Sequence, residues 1–192
     1  MAVTNNDLSI FTNKNENGIK LSDRLNTVLT NSKYFDVLVG YFRITGFYLL
    51  KEQLEDVKEI RILIGLGADI ETVRAMDIFE LSGANATRKV QKVITEEFNN
   101  TEDDNLEMEN GVFKFCEWIK SGKLKIRMCY EKNVHAKLYI VRKDPDKVPD
   151  QFGNLITGSS NFTFNGLDKN VEFNVELKNQ SDVQYGLDFF EE

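Results

Sequence analysis

The fold is decided between residues 134 and 176, where three short segments follow one another: His135-Ala-Lys-Leu-Tyr-Ile-Val141, Gly158-Ser-Ser-Asn161 and Asn170-Val-Glu172. His135 is the only histidine among the 192 residues. It stands in front of an alternating run, residues 137–141, that predicts a β-strand. A period of two places His135, Lys137 and Tyr139 on one face of that strand.

The other two segments also lie beside predicted strands. Residues 155–157 lead into Gly158–Asn161, whose small polar residues allow a backbone to approach an anion. Eleven residues after Asn161, Glu172 lies in a third strand pattern, residues 171–177. These residue types suit displacement at phosphorus. A neutral imidazole can attack phosphorus, an ammonium and an amide can neutralise developing charge, and a carboxylate can orient the imidazole.

The order H-x-K, G-S-x-N and N-x-E resembles the HKD motif of the phospholipase D superfamily, in its nuclease-like branch. The resemblance implies that His135 is the nucleophile and that Lys137 and Asn161 bind the phosphate. It also implies that Glu172 is the partner of the histidine. The 43-residue segment carries the specific match, and the preceding part of the chain matches only in its general strand–helix pattern.

Three neighbouring residues complete the comparison with this family. Ser159 is an implied supporting hydrogen-bond donor, and we expect Ser160 to contact the substrate as well. The family's long form carries an aspartate at the position of Arg142. This departure argues against the lipase branch of the family more than against activity.

The composition indicates one globular domain over residues 1–192, with 41% hydrophobic residues and 14 phenylalanines. No run approaches 18 apolar residues, so neither a membrane span nor a secretory signal is expected. Cys116 and Cys129 lack zinc-ligand spacing and are expected to be reduced thiols. We expect a cytoplasmic protein without cofactor, metal or membrane partner. The final helical pattern reaches Glu192 unbroken, which suggests the N-terminal part of a longer protein.

The charge of the chain is unevenly distributed around a net value of −7. Residues 96–110 contain seven acids and no base, whereas residues 114–147 contain ten bases and four acids. Electrostatic interactions are screened over about 8–10 Å, so a substrate meets the local field near His135 rather than the net charge. The acidic total therefore does not exclude a nucleic-acid substrate.

The first confident strand is predicted over residues 35–42, whose nearly continuous apolar run indicates burial on both faces. The turn that follows, residues 43–46, lies where open α/β sheets tend to bind ligands. Tyr41, Arg43 and Thr45 are therefore candidate substrate contacts.

The remaining patterns define the fold class. Helices are predicted over residues 20–31, 47–56, 71–99, 112–119 and from a cap at Ser181-Asp182 onward, and further strands over residues 59–66 and 124–130. The first 18 residues predict an extended arm or a short edge element. The sequence thus predicts an α/β fold, a mixed β-sheet of six or more strands flanked by helices on both faces.

The resemblance implies a metal-independent phosphodiesterase, a nuclease acting on DNA in preference to RNA, within a helicase or a restriction system. Two alternatives stay open. One is a non-catalytic DNA-binding module of a helicase, and the weaker one is a phospholipid phosphodiesterase. In the families that the motif resembles, a second histidine from a second motif completes the site. Because this chain has a single histidine, we expect a homodimer with a shared active site.

Overall fold

A computed structural model describes residues 9–14, 18–65, 105–129 and 134–192. Seven strands and five α-helices are found in these ranges. In chain order they are β1 Ile10–Thr12, α1 Leu21–Leu29, β2 Ser32–Val39, α2 Ile44–Tyr48, α3 Lys51–Leu54, β3 Glu59–Ile64, α4 Asn105–Ser121, β4 Leu124–Met128, β5 Leu138–Lys143, β6 Gly153–Gly158, β7 Phe173–Leu177 and α5 Gln180–Glu191. A π-helical turn, Asn165–Lys169, precedes β7.

The strands form one mixed sheet in the order β1-β7-β6-β5-β2-β3-β4. β2, β3 and β4 are parallel to one another, whereas β5, β6, β7 and β1 each pair antiparallel with their neighbours. The prediction of a mixed sheet with six or more strands is confirmed. The short β1 at the sheet edge agrees with the edge element expected near the N-terminus.

Helices cover both faces of the sheet, as predicted. On one face, α1 to α4 bury the main apolar core, to which β2 contributes Phe35, Val37 and Val39. On the other face, α5 packs Val183 against Ile140 and Leu155. The burial of β2 on both faces explains its nearly continuous apolar sequence. No described helix is both long and apolar enough to cross a membrane.

Several predicted boundaries differ from the observed ones. β2 ends at Val39 rather than at residue 42, and Phe42 instead forms an isolated bridge with Phe162. The helix predicted over residues 47–56 is two short helices, and the first begins earlier because Ile44 is already buried in the core. The helix predicted over residues 71–99 lies outside the described residues.

The predicted cap of the last helix was wrong. α5 begins at Gln180, and its N-cap is Asn179, so Ser181 and Asp182 lie within the first turn. The Asn179 amide donates a hydrogen bond to the Asp182 carboxylate at 3.3 Å. The Asn179 carbonyl accepts the N–H groups of Asp182 and Val183 at 3.1 Å, and its side chain makes no capping hydrogen bond.

Arg142, which stands where the family's long form has an aspartate, takes part in a buried ion cluster. The carboxylate of Asp36 on β2 accepts hydrogen bonds from Arg61 Nε at 2.5 Å and from Arg142 Nη2 at 3.0 Å. Hydrogen bonding to Asp36 raises the pKa of Arg61. Arg61 also donates to Glu191, so the cluster joins the centre of the sheet to the end of α5.

Substitution of Asp36 tests the contribution of this cluster to stability. Asp36 is completely buried, so Asp36→Ala leaves two guanidinium groups without their common anion and should lower the free energy of unfolding by about 3–5 kcal/mol. The matched control is Asp146→Ala, because the Asp146 side chain is 88% exposed and its ion pair with Lys33 is long, at 3.9 Å. That change should cost less than about 1 kcal/mol. Urea unfolding measures both values, and equal losses would contradict the assignment.

Candidate active site

The segments that the sequence singled out converge where strands β2, β5, β6 and β7 have neighbouring ends. We call this end of the sheet the His135 edge. β2 and β6 end at this edge, whereas β5 and β7 begin there, as the pairs Leu38–Leu138, Leu138–Thr157 and Gly158–Asn174 show. The residues that follow β2 and β6 therefore meet those that precede β5 and β7. The fold thus brings Tyr41, His135, Asn161 and Glu172 to neighbouring strand ends.

His135 lies before β5 and not within it. The strand begins at Leu138, and residues 134–137 form an irregular segment. The prediction that His135, Lys137 and Tyr139 share one strand face was wrong, because His135 is exposed while Tyr139 is completely buried. Leaving the strand ladder places the imidazole in solvent, where a substrate can reach it.

Close backbone packing holds this irregular segment. The Gly65 N–H donates to the Val39 carbonyl at 2.9 Å, which fixes Gly65 at the end of β3. A Cβ atom on Gly65 would lie only 2.2 Å from the Val134 carbonyl oxygen, so only glycine allows this approach. No local pattern in the sequence indicates this role of Gly65.

Lys137 and Asn161 present donors at the same edge. The Lys137 ammonium donates to the His135 carbonyl at 2.8 Å, and its other two N–H groups can serve an anion. The Asn161 Oδ1 accepts from the Tyr41 backbone N–H at 3.1 Å. This bond uses the acceptor of the amide, so its Nδ2 group is the part that remains to donate.

Glu172 is held by neighbours on its own side of the site. Its carboxylate accepts a hydrogen bond from the Ser159 hydroxyl and a long one from Asn170 Nδ2, at 3.5 Å. Ser159 Oγ in turn accepts from the Phe173 backbone N–H at 3.1 Å. Within the described residues, no hydrogen bond joins Glu172 to the His135 ring. The pairing of the two side chains stays a prediction, as does the donation of Ser159 to a phosphate.

Two predicted substrate contacts are buried, and for these the expectation is corrected. Ser160 is completely buried, where its Oγ accepts from Asn174 Nδ2 at 3.0 Å and its carbonyl accepts from the Tyr139 hydroxyl at 2.9 Å. Burial, together with the nearby charge of Glu172, raises the pKa of Tyr139 well above its usual value. Thr45 is 6% exposed, and its hydroxyl accepts from the Phe164 N–H. Both hydroxyls therefore support the loop around Asn161.

Tyr41 and Arg43, in contrast, are exposed beside the site. The Tyr41 side chain is 52% exposed, although its backbone is fixed by Asn161. The Arg43 backbone N–H donates to the Phe162 carbonyl at 2.9 Å. Phe42, which lies between Tyr41 and Arg43 in the sequence, stacks on Phe162 with ring centroids 5.2 Å apart. The buried rings of Phe42 and Phe162 anchor this segment, while the side chains of Tyr41 and Arg43 are exposed to solvent.

A cavity of about 650 Å³ lies at the opposite edge of the sheet. Its buried charges, Arg24 and Glu176, form an ion pair, and the Asn154 amide also donates to the Glu176 carboxylate. None of the residues singled out by the sequence lines it. We therefore place the candidate site at the His135 edge.

The side chains at the His135 edge could bind an anion next to a nucleophile. An exposed imidazole, an ammonium and an amide nitrogen can face one phosphate group, with a carboxylate nearby. Among the described residues, no group of three or more histidine, cysteine, aspartate or glutamate side chains is arranged to hold a metal ion. Cys116 and Cys129 are free thiols.

Comparison with known proteins assigns most of the chain to one family. Residues 27–192 match the family described as "Cardiolipin synthase, PLD-like domain". The match includes every residue of the candidate site. A search of curated proteins found no match.

Solved structures of similar fold include two that match over nearly the whole of both chains. NucT from Helicobacter pylori is 12% identical, with 95% of this chain and 92% of that chain covered and a TM-score of 0.49. Nuc from Salmonella typhimurium, a phospholipase D family member, is 15% identical, with 95% and 90% covered and a TM-score of 0.46. Yeast tyrosyl-DNA phosphodiesterase is 15% identical, with 87% and 31% covered and a TM-score of 0.47.

The packing of Gly65 against the His135 segment can be tested by adding a single methyl group. In Gly65→Ala the new Cβ would overlap the Val134 carbonyl, and we expect a loss of about 1–3 kcal/mol of unfolding free energy. Gly40→Ala is the matched control, because a Cβ there lies at an ordinary 3.6 Å from the same oxygen. It should change stability by less than about 1 kcal/mol. Indistinguishable urea midpoints for the two variants would refute this packing.

Proposed function

Because this chain belongs to the phospholipase D superfamily, we propose that it is a phosphodiesterase, a nuclease that cleaves nucleic acid through a covalent phospho-histidine on His135. One observation carries the proposal. The sheet edge presents the exposed His135 together with the donors of Lys137 and Asn161. A nucleophile flanked by donors for the non-bridging oxygens is what displacement at phosphorus requires.

The first proposed step transfers the phosphoryl group to the enzyme. A neutral ring nitrogen of His135 attacks phosphorus, and the bond from phosphorus to the leaving oxygen breaks. An acid donates a proton to that oxygen. Lys137 and Asn161 hold the non-bridging oxygens as negative charge builds up. Asn161 is well prepared for this role because the Tyr41 N–H fixes the orientation of its amide.

The second proposed step restores the enzyme. A water molecule, deprotonated by a base, attacks the phosphorus of the phospho-histidine, and the phosphorus–nitrogen bond breaks. The phosphate product leaves and His135 is regenerated. We assign Glu172 the task of orienting the imidazole, since a carboxylate that binds one ring nitrogen fixes the tautomer of the other.

The proposed substrate is DNA in preference to RNA. Lys137 places an ammonium group at the His135 edge, where it attracts a polyanion. Tyr41 offers an exposed ring on which a base can stack, and the exposed Arg43 lies two residues further along. The proposed setting, a cytoplasmic helicase or restriction system, follows from the resemblance of the motif alone.

Two other functions are distinguishable in one assay series. A non-catalytic DNA-binding module would bind DNA without cleaving it. The family description names a cardiolipin synthase, and so phospholipid head-group chemistry is the other candidate. Plasmid DNA, single-stranded DNA, RNA, bis(p-nitrophenyl) phosphate and phosphatidylglycerol vesicles separate these outcomes. A nuclease cleaves nucleic acid, a binding module binds DNA and cleaves none of the compounds, and a phospholipid phosphodiesterase acts on the vesicles.

Cleavage should persist without divalent metal and should depend on His135. In the presence of EDTA the protein should hydrolyse DNA and bis(p-nitrophenyl) phosphate, since Lys137 and Asn161 supply the charge neutralisation. His135→Ala should lower kcat by a factor on the order of 10³ or more while binding to DNA persists. Asp146→Ala serves as a control and should keep full activity, since that side chain is exposed on another loop. Loss of all cleavage in EDTA with recovery in magnesium would contradict the mechanism.

A shared site in a homodimer completes the proposal. The first step needs an acid and the second a base, and His135 is the single histidine of the chain. In a two-fold dimer the partner's copy of His135 can perform both proton transfers across one central cleft. Each subunit then contributes a phosphate site, and a single path serves the substrate.

Mixed dimers test this sharing directly. Differently tagged wild-type and His135→Ala subunits are co-expressed, and the heterodimer is purified through both tags. We expect it to be nearly inactive, because one histidine cannot act as both nucleophile and acid. The corresponding heterodimer with Asp146→Ala should be fully active. Half of the wild-type rate in the His135 heterodimer would refute the shared site. So would a wild-type protein that sediments as a monomer at the concentration at which it is fully active.

A further inference from the structure

We propose that Asn13, at the end of the edge strand β1, is a positioning residue for Glu172. The Asn13 Oδ1 accepts a hydrogen bond from the Glu172 backbone N–H at 2.9 Å, and Asn13 Nδ2 donates to the Asn170 carbonyl at 2.7 Å. One side-chain amide thus binds the backbone on both sides of Val171. Nothing in the motif indicates this contact, since Asn13 is 159 residues away from Glu172 in the sequence.

The amide of Asn13 continues a strand pairing that the backbone has ended. β1 stops at Thr12, which pairs with Phe173, the first residue of β7. Glu172 is thus the first residue outside the ladder, and its N–H finds an acceptor in a side chain where the next strand residue would have supplied a carbonyl. Both polar groups of the amide act as a peptide group would.

Few other contacts restrain the backbone around Glu172. Val171 is 67% exposed, and the segment connects the π-helical turn to β7 over the surface. The Asn170 N–H closes that turn by donating to the Asn165 carbonyl at 2.7 Å. The two bonds from Asn13 therefore determine where the backbone of Glu172 sits relative to the site.

Asn13 and Ser159 hold Glu172 from opposite ends. Asn13 fixes the backbone, while the Ser159 hydroxyl donates to the carboxylate and Ser159 Oγ accepts from the Phe173 N–H. If the backbone of Glu172 moves, its carboxylate changes position relative to the Ser159 hydroxyl and to His135. The positional effect on catalysis rests on the proposed function, whereas the hydrogen bonds themselves do not.

Gly18 and Ile19 pack beside Asn13 and its neighbour Thr12. A Cβ on Gly18 would lie 2.6 Å from the Asn13 Cα, so the returning chain packs directly on the backbone of Asn13. The Ile19 N–H donates to the Thr12 carbonyl at 3.1 Å. The Lys14 N–H donates to Thr12 Oγ1 at 3.3 Å, in a hydrogen bond that does not involve Glu172.

The first measurement follows the hydrogen bond and needs no activity. In Asn13→Ala, amide hydrogen exchange of Glu172, measured by NMR, should become about tenfold faster than in the wild type, which corresponds to a loss of about 1.4 kcal/mol. The Thr12→Val variant removes the hydroxyl that Lys14 uses and leaves the Asn13 amide intact, so exchange at Glu172 should not change. Unchanged exchange in Asn13→Ala would overturn the proposal.

The second measurement follows catalysis through Glu172. With bis(p-nitrophenyl) phosphate, Asn13→Ala should lower kcat about tenfold with little change in KM, and Thr12→Val should match the wild type. In a Glu172→Gln background the Asn13→Ala substitution should cause no further loss, because a positioning residue acts only through the group it positions. Losses that multiply in the double variant would overturn the positioning role.

These outcomes separate the inference from the proposed function. A wild-type protein that turns over no phosphodiester would refute the proposed function, and amide exchange at Glu172 would still decide the contact with Asn13. Faster exchange at Glu172 with an unaltered kcat would overturn the positioning role and leave the nuclease function standing.

Discussion

The antiparallel pairing of β2 with β5 is the interaction on which the site depends. β2 is parallel to β3 on one side and antiparallel to β5 on the other, so the strand direction reverses between β2 and β5. This change brings the segment after β2 against the segment before β5. Without it, Tyr41 and His135 would lie at opposite edges, and Asn161 would lack the backbone N–H that orients its amide.

The sequence predicted the elements better than the contacts between them. Alternating and continuous apolar runs identified β2, β3, β5 and β6 because burial determines those patterns. The motif also led to the neighbouring strand ends at which His135, Lys137, Asn161 and Glu172 lie. Gly65 and Asn13 were missed because a close backbone approach and a side-chain amide acting across 159 residues leave no local periodicity. Ser160 and Thr45 were misjudged because burial of a small hydroxyl depends on packing that the local sequence does not show.

Arg142 shows how a departure from a family pattern can be accommodated. An arginine at this position has its own buried anion, Asp36, on the neighbouring strand. Asp36 also binds Arg61, and Arg61 reaches Glu191 at the end of α5. The cluster lies on the face of the sheet that α5 covers, and its arginines form ion pairs with Asp36 and Glu191. The altered residue therefore serves the attachment of a helix, while the His135 edge keeps all four of its motif residues.

The central claim is that two displacements occur at phosphorus, the first by His135. The stereochemical course of hydrolysis tests it most directly. A chiral phosphorothioate diester of one configuration is hydrolysed in ¹⁸O-labelled water, and the configuration of the product is determined. Each in-line displacement inverts phosphorus, so a covalent phospho-histidine predicts net retention. Net inversion would show direct attack by water and would contradict the account.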